Sequence, residues 1–127
     1  MATGNGLMAG KRGLIMGIAN NRSIAWGIAK ACAESGMKVA ISYRTPEHFE
    51  EARHLVGPAL HGVQLDVRER DSVKRAAAEL KERFGPIHLL VVNAGVGFPG
   101  SVLGATEQEW EYSLSVNVGG LVNTVQS

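Results

Sequence analysis

Short apolar runs alternate along the chain with longer stretches in which apolar residues recur every three or four positions. Leu14-Ile15-Met16 is such a run and stops at Gly17. Ile24, Ile28, Ala31 and Cys32 follow at helical spacing and predict a helix from about Ser23 with these residues on its inner face. Val39 to Tyr43 reads as a second strand, and Thr45-Pro46 supplies an N-cap and a proline at the first helical position. Phe49, Ala52 and Val56 continue that helix until Gly57-Pro58 stops it. Gly62 to Val67 alternates like a third strand. Val73, Ala77, Leu80 and Phe84 form one stripe of a third helix, closed by Gly85-Pro86.

Leu89 to Val92 is apolar throughout, as expected of a strand with both faces covered. A glycine-rich loop runs from Asn93 to about Ala105. Thr106-Glu107-Gln108-Glu109 fits a capping box, and the helix it opens carries Trp110, Leu114, Val118, Leu121 and Val125 as its apolar face. Strands alternating with helices call for parallel βαβ units with right-handed crossovers. The expected fold is therefore α/β: a Rossmann-like, doubly wound parallel sheet, N-terminal half, with strand order 3-2-1-4. Residues 1–10 read as a flexible lead-in and 11–127 as one partial domain of that kind.

Composition narrows the function without naming it. The chain has 127 residues and a formal net charge of +1, with no basic stripe to suit nucleic acid or an anionic membrane. Its longest aliphatic run is far short of a bilayer span, and no secretory signal opens it, so a cytoplasmic location is expected. The single cysteine, Cys32, excludes an internal disulfide and falls on the inner helix face, where inertness is expected. His48, His54, His61 and His88 lack metal-ligand spacing; the first three read as surface residues and His88 as a packed one. Glycine is the outlier: sixteen residues, almost twice the usual share of roughly 7%.

Several of those glycines fall at strand exits, where a backbone must approach a ligand closely. In an open α/β sheet, ligands lie beyond the carboxyl ends of the strands, at the switch point between strands 1 and 4. That geometry selects Gly17 to Ile24, Arg44, Asp66-Val67 and Asn93-Ala94-Gly95. Gly17 allows a tight exit, and the free N–H groups around Ser23 and Ile24 can receive a pyrophosphate. The same loop also reads as a plain βα turn with Ser23 as N-cap. An acid after strand 2 would hold a ribose 2′-hydroxyl, whereas Arg44 suits a 2′-phosphate; a merely solvated Arg44 is the other reading.

The segment GKRGLIMGIANNRSIAWGIAKA, Gly10 to Ala31, closely resembles the start of bacterial enoyl-acyl-carrier-protein reductases, members of the short-chain dehydrogenase/reductase superfamily. That likeness covers about residues 7–43 and rests on the long loop from Gly17 to Ser23. Over residues 60–120, Leu65-Asp66-Val67, Asn93-Ala94-Gly95 and Asn117-Val118-Gly119-Gly120 resemble instead the β-ketoacyl-reductase type. The resemblance implies that Gly17, Ala19, Ser23 and Ile24 cradle a cofactor diphosphate. It implies that Asp66 and Val67 meet the adenine and that Asn93-Ala94-Gly95 border the cofactor. Asn117 would belong to a catalytic tetrad, its helix backbone holding a water in a proton relay; bonding to neighbouring loop groups is its other reading.

The implied cofactor is NADP(H), favoured by Arg44, with NAD(H) the alternative. The implied substrate is an enoyl- or 3-oxoacyl-thioester of acyl-carrier protein or CoA, reduced by hydride transfer in a homo-oligomeric enzyme. By the same resemblance, a Tyr and a Lys complete the chemistry. Here the tyrosines are Tyr43 and Tyr112, and the last lysine is Lys81. The chain is thus expected to be the nucleotide-binding half of a longer reductase, truncated or chimeric. The alternative is a catalytically inactive nucleotide-binding or self-associating half-Rossmann fragment, natural or engineered.

Overall fold

A computed structural model of the protein describes residues 6–56 and 60–127. Four parallel strands, β1 (Arg12–Ile15), β2 (Lys38–Tyr43), β3 (His61–Gln64) and β4 (Leu89–Val91), form one sheet in the order β3-β2-β1-β4. The register sets Leu14 beside both Ala40 and Leu90, and Ala40 beside His61. The sheet order expected from the alternating pattern is therefore the one observed.

Period-two alternation sends successive residues to opposite faces. Ile15, Val39 and Ile41 pack on one face beneath α1 (Ile24–Glu34) and α2 (Pro46–Val56). Leu14, Met16, Ala40 and Val63 pack on the other beneath α3 (Arg70–Arg83). Val116 joins that second core from a long C-terminal helix. This last helix runs as α4 (Glu107–Leu114), a π-wound stretch Ser115–Gly119, and α5 (Gly120–Val125). Its start is fixed by the expected capping box: Thr106 Oγ1 accepts from Glu109 N at 3.1 Å, while Glu109 Oε2 accepts from Thr106 N at 2.9 Å.

Two of the helix faces read from apolar spacing need correction, those of α1 and of the C-terminal helix. In α1 the fully buried residues are Ala25 and Ala29, and Ile24 is 73% exposed. Alanine is the smallest side chain that still packs, so this face lets the helix lie close to the sheet. In the C-terminal helix, Trp110, Leu114, Val118, Leu121 and Val125 all lie on the outside. The inner stripe is Tyr112, Val116, Gly120 and Asn123. A Cβ on Gly120 would come within 2.7 Å of Val67 Cγ2, so close helix–sheet approach selects the stripe with the smallest residue. Asn123 Nδ2 donates to Val67 O at 2.9 Å and fixes the choice.

Strand β4 is a three-residue edge, and Leu90 is 38% exposed, so the expectation that both its faces are covered does not hold. Nothing among the described residues pairs with its outer side. Two histidines also exchange roles. His61 is half-buried with its ring 5.3 Å from that of Phe84, whereas His88 is exposed and its Nδ1 accepts from Arg12 N. Cys32 is half-buried, and burial pushes its thiol pKa up.

Residues 1–5 of the expected lead-in and the Gly57-Pro58 stop lie outside the described residues. Residues 6–10 form turns in which Met8 N donates to Ser35 O at 2.7 Å. No helix among the described residues is long and apolar enough to cross a membrane.

Candidate functional site

The exits of all four strands meet at one end of the sheet. Gly17, with φ +90°, turns the chain away from β1, and a Cβ there would sit 2.5 Å from Asn93 O and 2.8 Å from Ala94 N. The glycine therefore serves a contact between two loops: it lets the exit of β1 pass against the exit of β4. Met16 N donates to Val91 O at 3.0 Å and locks the same junction.

A cleft of about 150 Å³ opens at this junction. Gly17, Ala19 and Arg44 line it from the β1 and β2 exits. Asp66, Val67, Ala94 and Gly95 line it from the β3 and β4 exits. These seven of the sequence-selected residues are brought together. Asn93 stands behind them, its carbonyl against Gly17. Ser23 and Ile24 are not in the cleft wall but begin α1. Ser23 makes no side-chain cap; its Oγ donates to Asn20 O at 2.7 Å instead. The N–H groups of Ile24 and Ala25 find no partner among the described residues, as expected of a first helical turn.

Asp66 is already engaged. Its carboxylate accepts from Arg68 Nε and Nη2 at 2.6–3.2 Å and from Arg68 N at 3.0 Å. The side-chain hydrogen bonds from Arg68 hold the Asp66 carboxyl below its ordinary pKa, against an opposing contribution from partial burial. The Arg68 guanidinium lies over the Tyr112 ring, 5.0 Å from its centroid. From the other side, Arg44 Nη1 donates to Tyr112 Oη at 2.9 Å. Phe98 meets the same ring edge-on at 6.0 Å.

Asn117 sits in the π-wound stretch, the kind of helix irregularity that re-aims a side chain. Its Oδ1 accepts from Val96 N and its Nδ2 donates to Val96 O, both at 2.8 Å. Both amide groups thereby tie the loop after β4 to the C-terminal helix, which is the loop-bonding reading of this residue. Gly95 fits beneath: a Cβ there would stand 3.3 Å from Asn117 Oδ1.

Sequence reasoning missed Tyr112, Arg68 and Val116, all of which line the cleft. Spacing of Tyr112 and Val116 at i and i+4 was the available signal, overshadowed by the larger apolar stripe on the opposite side. No three His, Cys, Asp or Glu side chains gather for a metal ion among the described residues. The cleft thus offers small apolar walls, one guanidinium with no carboxylate partner within 4 Å among the described residues, and free N–H groups nearby.

Known proteins share this fold. Residues 17–127 match the family described as enoyl-(acyl carrier protein) reductase. An NADH-type enoyl-acyl-carrier-protein reductase of Rhizobium meliloti is 42% identical over 94 residues, which is 72% of this chain and 34% of that protein. A 3-oxoacyl-acyl-carrier-protein reductase of Mycobacterium bovis is 32% identical over 84% of this chain and 40% of its own length. Among solved structures, a 3-ketoacyl-acyl-carrier-protein reductase from Brucella melitensis complexed with NADH superposes with a TM-score of 0.84 at 30% identity, covering 92% of this chain and 48% of that one. The chain spans between a third and half of the length of these relatives.

Proposed function

Because this chain belongs to the enoyl-(acyl carrier protein) reductase family of the short-chain dehydrogenase/reductase superfamily, we propose that it is the nicotinamide-dinucleotide-binding part of an oxidoreductase that reduces an acyl thioester. The observation that carries this reading is the single cleft at which Gly17, Ala19, Asp66, Val67, Ala94 and Gly95 converge from three strand exits, with Arg44 from the fourth. Its donor set suits a dinucleotide. Val67, Ala94 and Val116 offer apolar walls to a base. The first turn of α1, next to Ser23, offers the N–H groups of Ile24 and Ala25 to a diphosphate. Asn93 shapes the turn that carries Ala94 and Gly95 to the cleft.

When bound, the cofactor supplies the hydride. The chain's own residues bind and orient it. Arg44 places a permanent positive charge at the mouth, which favours NADP(H) over NAD(H), since a guanidinium pairs with a 2′-phosphate better than with a ribose hydroxyl. Asp66 reads the adenine amino group only to the extent that Arg68 releases it. Asn117 holds the loop after β4 in place, and its π-wound backbone is the proposed seat of the tetrad asparagine.

An enoyl- or 3-oxoacyl-carrier-protein substrate is taken from what the relatives are named for; a CoA thioester as the other substrate form and a cytoplasmic setting belong to the same proposal. A homo-oligomer is favoured by the outward apolar residues of the C-terminal helix, Trp110, Leu114, Val118 and Leu121, which ask for cover.

Titration of the protein with NADPH and with NADH, followed by size-exclusion chromatography of the same sample, tests the reading. Saturable binding of NADPH, tighter than NADH, is expected. Binding of neither would remove the nucleotide assignment, and tighter NADH binding would remove the 2′-phosphate preference alone.

A further inference from the structure

We propose that Tyr112 is a specificity-determining residue: its hydroxyl holds the Arg44 guanidinium at the cleft mouth, ready for a 2′-phosphate. The inference rests on the nucleotide reading above and deepens it. Arg44 is an exposed side chain at the end of β2, where an arginine would ordinarily sample many rotamers. Here its backbone is anchored by Gln64, whose Nε2 donates to Arg44 O at 3.1 Å. Its Nη1 donates to Tyr112 Oη at 2.9 Å, across 68 positions of sequence.

Tyr112 is itself braced. One face carries the Arg68 guanidinium at 5.0 Å, and the Phe98 ring stands edge-on at 6.0 Å. Arg68 in turn is fixed by Asp66. The tyrosine therefore touches two guanidinium groups of different standing. The charge of Arg68 is matched by a carboxylate at 2.6 Å, whereas no carboxylate among the described residues lies within ion-pair distance of Arg44. A guanidinium has five N–H donors, and a neutral phenol oxygen takes one of them. The rest stay free to grip an anion, and the nearby Asp66 carboxylate, which feels the Arg44 charge, is itself held by Arg68. Pre-orienting that fork removes part of the ordering cost that an unconstrained arginine would meet on binding. The phenol thus gives affinity for the 2′-phosphate while leaving the ribose and base untouched.

The test is Tyr112→Phe, which keeps the ring against Arg68 and Phe98 and deletes only the hydroxyl. Adenosine 2′,5′-bisphosphate and adenosine 5′-monophosphate are the probes, titrated calorimetrically into the full chain, so no turnover is needed. The unaltered protein should prefer the bisphosphate. Tyr112→Phe should weaken bisphosphate binding by about 3- to 10-fold, the range of one hydrogen bond, and leave the monophosphate unchanged. The same substitution in an Arg44→Ala background should then have no effect on either ligand.

An unchanged bisphosphate preference in Tyr112→Phe would overturn the inference and leave the nucleotide reading intact. Equal weakening of both ligands would also overturn it, assigning the tyrosine to the base instead. Tighter binding of both would overturn it as well, showing that the Tyr112–Arg44 contact blocks the cleft. No preference in the unaltered protein would overturn the inference together with the 2′-phosphate preference, and no binding of either probe would take the nucleotide reading with it.

Discussion

A methyl group at position 17 would stand 2.5 Å from a backbone carbonyl oxygen that cannot move without breaking the β1–β4 junction. The backbone there also has φ +90°, a conformation that L side chains rarely adopt. Gly17→Ala should therefore cost roughly 3 kcal/mol or more, combining left-handed strain with backbone overlap. Denaturant unfolding of the two proteins checks this, and a loss below about 1 kcal/mol would contradict the tight junction. A strand-exit glycine was legible in the sequence, but its reason was not. The expected reason was room for a ligand, and the structure shows room for the Asn93–Ala94 backbone. Arg68, and the contacts that Tyr112 makes, were illegible for a different cause. Their partners lie in other loops, and an aromatic ring between two guanidinium groups leaves no local trace in a sequence.

Elements were legible where a local rule fixes them. The capping box at Thr106 and Glu109 is one such case, since its two hydrogen bonds span only three positions. Thr106→Ala should cost about 1 kcal/mol of stability. It should also loosen the helix start that carries Tyr112, which amide hydrogen exchange near Glu109 would register as faster exchange. An unchanged unfolding midpoint and unchanged exchange would refute that role. Helix faces were less legible, because periodicity finds a stripe without saying which way it points. In α1 the bulky Ile24 loses the core to Ala25 and Ala29. In the C-terminal helix the stripe of Leu114, Val118 and Leu121 loses it to Val116 and Gly120. In the C-terminal helix the winner is the stripe that allows close approach, fixed at Gly120 by the side chain of Val67. The π-wound stretch Ser115–Gly119 then shifts the register midway, which no fixed 3.6-residue period anticipates.

At the scale of the molecule, the sheet order β3-β2-β1-β4 followed from the alternation of strands and helices together with crossover handedness. The same topology brings the four exits to one place, which is why Gly17, Arg44, Asp66 and Gly95 could be selected together before any contact was known. What the topology leaves bare is equally clear: the outer side of β4 and the outward apolar residues of the C-terminal helix. An unpaired edge, even one as short as β4, and an apolar face are surfaces that associate. The central claim remains the shared cleft. It is tested most directly by backbone amide NMR of the labelled protein during addition of NADPH. Chemical-shift changes should concentrate at Gly17 to Ala25, Arg44, Asp66-Val67 and Ala94-Gly95, the four exits moving together with one saturation curve. Shifts confined to the exposed helix face around Leu114 and Val118, or no saturable shifts at all, would contradict it.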